Sequence, residues 1–340
     1  MAAPYTLLGR AGSGGSADVH RARRNSDGAL VALKIAHGPG GSPPLAREAL
    51  HAALALSPRL PELLDLGWGF VDRDARDAFT PCAPHSARLD ARPFLALRWI
   101  EGAPLSHAPQ IDRARLALAV ARDVGEALAD LHALGLAHGD IKPDNLLLDV
   151  HGAVHVLDLG LACPAHLATP EGATLRYLAL RDRDLGDARA RDLLALGLVL
   201  AELCDPAVAA APDPLDAARL ARLPAPIDAL CAALLSPSPA ARPSAGWVAE
   251  IAGPARDRAD RDARLVRASY LRLRRDDLAA APTVSGEVAP WLAGAIDHAT
   301  RARALGGPAP HAPPSSPLGP LALDQRARWL TALVGSPAAA

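Results

Sequence analysis

Arginine supplies all but two of the 36 basic residues in this 340-residue chain; only Lys34 and Lys142 remain as lysine. Alanine and leucine dominate, as expected of a GC-rich coding sequence, and a lysine that survives such pressure marks a place where chemistry demands it. Asparagine is as scarce, at Asn25 and Asn145. Lys142 and Asn145 fall within one run, Ala137-His138-Gly139-Asp140-Ile141-Lys142-Pro143-Asp144-Asn145, and eighteen residues after Asp140 comes Asp158-Leu159-Gly160. Near the start, Gly12-Ser13-Gly14-Gly15-Ser16-Ala17-Asp18-Val19 is a stretch of small residues whose backbone N–H groups can approach phosphate oxygens closely. Taken singly these signals are weak: glycine-rich turns are common, and Asp and Asn favour turns and helix caps.

Positioning them requires a frame. Residues 1–36 read as strand, glycine turn, strand, hairpin and strand, with Asn25-Ser26-Asp27-Gly28 as the hairpin turn. Pro44 to Leu56 has helical periodicity, and Glu62 to Phe70 and Pro93 to Ile100 read as strands separated by a polar insert, Asp72 to Arg92. Beyond Gly102 the pattern is largely helical. Arg113 to Leu134 places Leu116, Val120, Val124, Leu128 and Leu131 on one face, short strands flank Asn145 and Asp158, and helices are expected over Ala190–Cys204, Ile227–Leu235 and Ser244–Ile251. The domain end is placed near Gly253. After it come an Arg- and Asp-rich helix (254–281), an amphipathic helix (288–305) with Val288, Trp291, Leu292, Ala295, Ile296 and Ala299 as its stripe, a Pro/Gly linker (306–320) and a terminal helix carrying Trp329 and Leu330. The charged helix reads as solvated; the amphipathic one needs a docking surface, on the same chain or on a partner protein.

Val31-Ala32-Leu33-Lys34 closes the third strand, and together with the glycine-rich loop and Val19-His20-Arg21-Ala22 it resembles the nucleotide-binding half of protein kinases, most closely the bacterial serine/threonine kinases. The run from Ala137 to Asn145 resembles the kinase catalytic loop along its full length, and Asp158-Leu159-Gly160 resembles the metal-binding Asp-Phe-Gly motif with leucine for phenylalanine. The resemblance spans residues 5–253. It implies an α+β, two-lobed fold: a small antiparallel β-sheet lobe with one helix (about 1–101), a larger mainly α-helical lobe (about 102–253) and a helical C-terminal extension (254–340). The activity implied is transfer of the ATP γ-phosphate to serine or threonine hydroxyls of protein substrates, with Mg2+. Asp140 would accept the hydroxyl proton and Lys142 would neutralise charge on the transferring phosphate, while Asn145 and Asp158 would hold the metal. Lys34 would reach between the α and β phosphates, oriented by Glu48, which on its own reads as a surface helix carboxylate. Ala11, Gly12, Ser13, Gly14, Gly15 and Ser16 would cover the phosphates. Val19, Ala32 and Leu147 would sandwich the adenine beside the hinge Arg98-Trp99-Ile100, and Thr174 would lie in the substrate loop. The aspartate of the central helix, Asp192, would bond the catalytic-loop backbone.

Two departures matter. Gly139 stands where the family usually has the arginine that pairs with a phosphorylated activation segment, so activity without that phosphorylation is expected. Leu180 and Arg181 replace a Pro-Glu pair whose glutamate normally meets the arginine matched by Arg242, so Arg242 is expected to find another carboxylate or stay partly solvated. His138-Gly139-Asp140 also resembles small-molecule kinases of the aminoglycoside phosphotransferase type; Lys142, the glycine-rich loop, Gly160 and Thr174 weigh against that alternative. A nucleotide-binding pseudokinase scaffold is the other, and it usually lacks one of Lys34, Glu48, Asp140, Asn145 and Asp158, all of which this chain keeps.

Composition narrows the rest. Basic and acidic residues (36 and 37) are interspersed and sum to −1, which offers no field suited to nucleic acid or an acidic membrane surface. Cys82, Cys163, Cys204 and Cys231 form no Cys-x-x-Cys pair and imply neither a zinc site nor a disulfide framework. No apolar run approaches the ~20 residues of a membrane helix, and a cytoplasmic location is expected.

Overall fold

A computed structural model describes residues 4–253 except 39–42, 56, 73, 76, 83–88, 108–112, 167–186 and 209–216. The expected C-terminal helices and linker, Thr174, and the Leu180–Arg181 departure therefore lie outside the described residues. The described residues divide into two compact units, one drawn from residues up to Leu56 and Pro61–Ile100, the other from Ser57–Leu60 and the described residues between Glu101 and Gly253.

The first unit is a closed antiparallel barrel of β1 (Tyr5–Ser13), β2 (Ala17–Arg24), β3 (Leu30–Ala36), β4 (Leu63–Val71), β5 (Ala78–Cys82) and β6 (Arg92–Arg98), in the order β1-β2-β3-β6-β4-β5, with one helix, α1 (Pro43–Leu54). The β2–β3 turn forms where the sequence places it. Gly28 adopts φ 72° and donates to the Arg24 carbonyl at 2.8 Å, and Asp27 accepts the Ala29 N–H at 3.1 Å. Alternation along β3 sends Val31, Leu33 and Ile35 into the barrel interior with Tyr5, Ala22, Phe79, Phe94 and Ala96. The three rings of that core meet at centroid distances of 5.1 to 6.3 Å, tilted or edge to face. The opposite face packs Leu66 and Leu95 on Leu45, Ala49 and Ala53 of α1.

Here the structure corrects the sequence reading. The stretch taken as a polar insert contains β5, which pairs with β4 and, through Tyr5↔Phe79 and Thr6↔Ala78, with β1. A small antiparallel sheet was expected; this hairpin adds the strand that closes it into a barrel. Gly69 is required for the closure, because a Cβ there would sit 2.5 Å from the Phe79 ring and 2.9 Å from the Thr80 carbonyl.

The second unit is mainly helical: α2 (Arg113–Ala133), α3 (Ala188–Cys204), α4 (Ala217–Leu220), α5 (Ile227–Leu234) and α6 (Ala245–Ala252). Two small sheets accompany them, one ordering β10 (Val154–Val156), β9 (Leu146–Asp149) and β7 (Gly102–Pro104), the other pairing β11 (Cys163–Pro164) with β8 (Leu136–Ala137). The apolar stripe of α2 buries Val120, Val124, Leu128 and Leu131, and Gly125 lets α6 approach within 3.0 Å of where a Cβ would stand. Helix α3 is buried from Arg191 to Ala201 without a break, and Ser244 caps α6 by accepting the Trp247 N–H at 3.2 Å. Arg242, 8 % exposed, donates from Nη1 to the Ala190 carbonyl at 2.8 Å and from Nε to the Ser236 carbonyl at 3.1 Å. Backbone oxygens thus satisfy part of the guanidinium for which the sequence suggested a carboxylate or solvent. The four cysteines are free thiols, and burial, with Cys204 and Asp228 nearby, pushes the Cys231 thiol up to about 12.

Candidate active site

The catalytic-loop run sits between β8 and β9, and its shape is imposed from beneath. Asp192 on α3 is 1 % exposed; its Oδ2 accepts the His138 N–H at 2.8 Å and its Oδ1 the Gly139 N–H at 2.9 Å. His132, near the end of α2, places Nε2 3.0 Å from the same Oδ2. Gly139 has φ 81°, a left-handed conformation that a side chain would strain, so the glycine suits the backbone that Asp192 holds. His138 is fully buried: its Nδ1 accepts the Asp140 N–H at 3.2 Å, and its Nε2 lies 3.1 Å from the Leu157 carbonyl. An acceptor at Nδ1 leaves the proton on Nε2, so the ring bridges the catalytic run to the strand end preceding Asp158.

Three predicted residues converge. Lys142 Nζ lies 2.6 Å from Asp140 Oδ2, and Asn145 Nδ2 donates to that oxygen at 2.9 Å and to the Asp140 carbonyl at 2.8 Å. The Leu157 N–H donates to the Asn145 carbonyl at 2.8 Å, tying in the segment that ends at Asp158. Asp158 is the sole non-glycine residue of positive φ among those described (φ 65°, ψ 84°), with Oδ1 accepting the Gly160 N–H at 3.1 Å. A non-glycine residue held there is the kind of local strain that clusters at functional sites. The loop joining β9 and β10 is built on Asp149, whose Oδ1 accepts the His151 and Ala153 N–H groups at 2.8 and 2.9 Å and whose Oδ2 meets His155 at 2.9 Å.

This donor set suits a magnesium ion carried with a phosphate ligand. Both Asn145 Nδ2 bonds go to Asp140, so the amide oxygen would be the atom to meet a cation, with the Asp158 carboxylate as a further oxygen ligand. Magnesium binds through one or two such oxygens, substrate phosphates and water. No group of three or more His, Cys, Asp and Glu side chains arranged for a metal occurs among the described residues.

In the barrel unit, Lys34 Nζ meets Glu48 Oε1 of α1 at 2.5 Å, with the side chains 12 % and 5 % exposed. Strand register puts Val19 opposite Lys34, and Ala32 two residues before Lys34, so the three share one face. The glycine-rich stretch is the β1–β2 turn, with Ala11 and Gly12 in β1 and Gly12 opposite Val19. Of the hinge residues, Arg98 turns its side chain to Glu62 at 2.5 Å, and Trp99 lies with its ring 5.4 Å from the Arg21 guanidinium. In the second unit, Leu147 on β9 lies opposite Pro104 of β7, against Gly102, where a Cβ would come 2.7 Å from Leu147 Cδ2.

Sequence reasoning missed several participants. His132 had no local signal beyond its place six residues before His138. Asp123, fully buried on α2, accepts the Val154 N–H at 2.9 Å and pairs with Arg59 at 3.0 Å, a link between residues 64 apart that no motif announces. Asp18, with Arg10, Ser13 and His37 around it, reads in the sequence as an ordinary polar strand residue.

Residues 105–248 match the protein kinase domain family. Among curated relatives, a cyclin-dependent kinase F-1 of Oryza sativa subsp. japonica is 39 % identical over 160 residues, covering 46 % of this chain and 30 % of that protein. The DNA damage-responsive serine/threonine-protein kinase RqkA of Deinococcus radiodurans is 32 % identical over 215 residues, 59 % of this chain and 29 % of its own length. The serine/threonine-protein kinase Pkn1 of Myxococcus xanthus is 30 % identical over 213 residues, 58 % and 28 %. The chain thus spans less than a third of the length of these relatives.

Proposed function

We propose that the chain is a protein kinase similar to the bacterial serine/threonine kinases, and that it transfers the γ-phosphate of ATP to serine or threonine hydroxyls of protein substrates. The observation that carries this reading is the convergence of Lys142 and Asn145 on the Asp140 carboxylate, over a backbone fixed by buried Asp192. In the transfer, Asp140 takes the hydroxyl proton as the acceptor oxygen bonds to the γ-phosphorus. The bond from that phosphorus to the β–γ bridging oxygen breaks, and ADP carries away the electron pair. Lys142, beside the Asp140 carboxylate, would offset the negative charge of the transferring group. Lys34, oriented by Glu48, binds the α and β phosphates beneath the turn formed by Gly12, Ser13, Gly14, Gly15 and Ser16. Val19, Ala32 and Leu147 contact the adenine, and the backbone of Arg98, Trp99 and Ile100 meets its edge. Asn145 and Asp158 would hold Mg2+, which when bound would supply positive charge to neutralise the phosphates. Thr174 belongs to the protein-facing loop. The catalytic domain ends near Gly253, and residues 254–340 would dock on this chain or on a partner protein. No helix among the described residues is long and apolar enough to cross a membrane.

Incubation with γ-labelled ATP and generic protein acceptors tests the reading. Label on serine or threonine of the acceptor is the expected result. Transfer confined to aminoglycosides or amino alcohols would move the assignment to small-molecule kinases, and nucleotide binding with no transfer to any acceptor would make it a scaffold.

A further inference from the structure

Three side chains, two from β1 and one just past β3, converge on one carboxylate oxygen of β2 beside the glycine-rich turn. Asp18 Oδ1 lies 2.7 Å from Arg10 Nη2, 2.7 Å from Ser13 Oγ and 3.2 Å from His37 Nε2. Arg10 and Ser13 belong to β1, Asp18 to β2, and His37 directly follows β3. The ladder alone specifies this corner poorly. β1 carries register shifts between Leu7 and Gly9 and again between Arg10 and Gly12, so two bulges precede the turn. Asp18 spans the second of them, gripping Arg10 on one side and Ser13 on the other. Backbone bonds finish the neck of the turn, from Gly14 N–H to the Ala17 carbonyl at 2.9 Å and from His37 N–H to the Ser16 carbonyl at 3.1 Å.

We propose that Asp18 is a positioning residue whose carboxylate clamps the glycine-rich turn in one register and thereby sets its grip on the phosphates of ATP. The inference rests on the kinase reading above and adds to it a residue outside the phosphate-contacting set. The Ser13 hydroxyl, then His37 and the Arg10 guanidinium, hold the Asp18 carboxyl below the usual aspartate range, so it stays ionised and accepting at neutral pH. Its charge, taken alone, argues against placing it there, because a carboxylate next to a triphosphate site repels the ligand. Charge and geometry therefore make opposite predictions. Removing Asp18 leaves the cation of Arg10 beside the turn, which by electrostatics alone tightens ATP binding; removing a clamp loosens the turn and weakens it.

The test uses the full chain and three proteins: wild type, Asp18→Ala and Asp18→Asn. Asp18→Ala is expected to raise the KM for ATP by about fivefold, the scale of one or two partly exposed charge-assisted hydrogen bonds, while kcat changes by less than about twofold. Asp18→Asn, which keeps an acceptor oxygen without the charge, is expected to recover most of that loss. In the nucleotide-free protein, hydrogen exchange at residues 14–17 should quicken in Asp18→Ala while β3 and β6 keep wild-type protection. ATP binding by Asp18→Ala as tight as wild type or tighter, failure of Asp18→Asn to rescue, or unchanged exchange at residues 14–17 would each overturn the clamp. A wild-type chain that neither binds ATP nor transfers phosphate would instead refute the kinase reading, and the exchange measurement would still decide the clamp.

Discussion

The carboxylate that shapes the catalytic run and the carboxylate that shapes the glycine-rich turn do similar work in opposite settings. Asp192 is 1 % exposed and fixes two backbone N–H groups and a histidine, while the Asp18 side chain is 30 % exposed and gathers an arginine, a serine and a histidine that solvent also reaches. A buried acceptor of backbone N–H groups over-determines its loop, because every partner it loses becomes an unpaired buried donor. An exposed acceptor biases its loop without freezing it. The difference matches what the proposed reaction asks of the two places: Asp140 would hold one geometry through the transfer, whereas a turn over the phosphates would admit ATP and release ADP.

The sharpest way to break this comparison is Asp192→Ala. It leaves the buried His138 N–H and the half-buried Gly139 N–H without their carboxylate acceptor, and should cost about 3 kcal/mol of stability together with more than ~100-fold in transfer rate. Urea unfolding and labelled-ATP transfer read both. A protein of wild-type stability would show that the catalytic run holds its own shape. Next, Asp140→Asn should lower transfer by at least ~100-fold while ATP affinity and melting temperature stay near wild type, because the amide keeps the Asn145 and Lys142 neighbourhood but takes no proton. Equal loss of binding and transfer would recast Asp140 as structural. Lys34→Arg should have a smaller effect, about tenfold in transfer: the charge survives, but a planar fork cannot sit as an ammonium does 2.5 Å from Glu48. Phosphatase treatment should leave activity unchanged, since Gly139 supplies no guanidinium for a phosphorylated segment to pair with; inactivation would refute that expectation.

What the sequence made legible follows from how local each feature is. Asp140, Lys142 and Asn145 lie within six residues, and their spacing alone brings them to one carboxylate. The β2–β3 hairpin and the stripe of α2 are equally local, and both stand where periodicity places them. Barrel closure was illegible because β5 is five residues long, contains Pro81, and finds its second partner more than seventy residues back, at Tyr5 and Thr6. The oxygens that satisfy Arg242 were illegible for a related reason. Backbone carbonyls carry no residue-type signal, so a reading of side chains does not find Ala190 and Ser236.

The smallest expected effect separates the two settings by pH. Asp149, in the second unit, and Asp18, in the first, both have carboxyls held below the ordinary aspartate range. At Asp149 burial is the largest single influence and pulls upward, but the His155 ring and the Ala153 and His151 N–H groups together outweigh it. A carboxyl depressed in the folded state contributes stability above its unfolded value, about 3.9, and that contribution is lost as pH falls through the lower folded value. Melting temperature should therefore fall in acid below about pH 4, and Asp149→Asn should flatten part of that slope, because its loop is partly buried and its three donors lose a charged acceptor. Asp18→Asn should leave the slope unchanged within error, since solvent and salt screen an exposed cluster. If instead Asp18→Asn flattened the slope and Asp149→Asn did not, the exposed corner of the barrel would be the more tightly determined of the two. The contrast between a firmly held loop of the second unit and a biased phosphate turn would then be reversed.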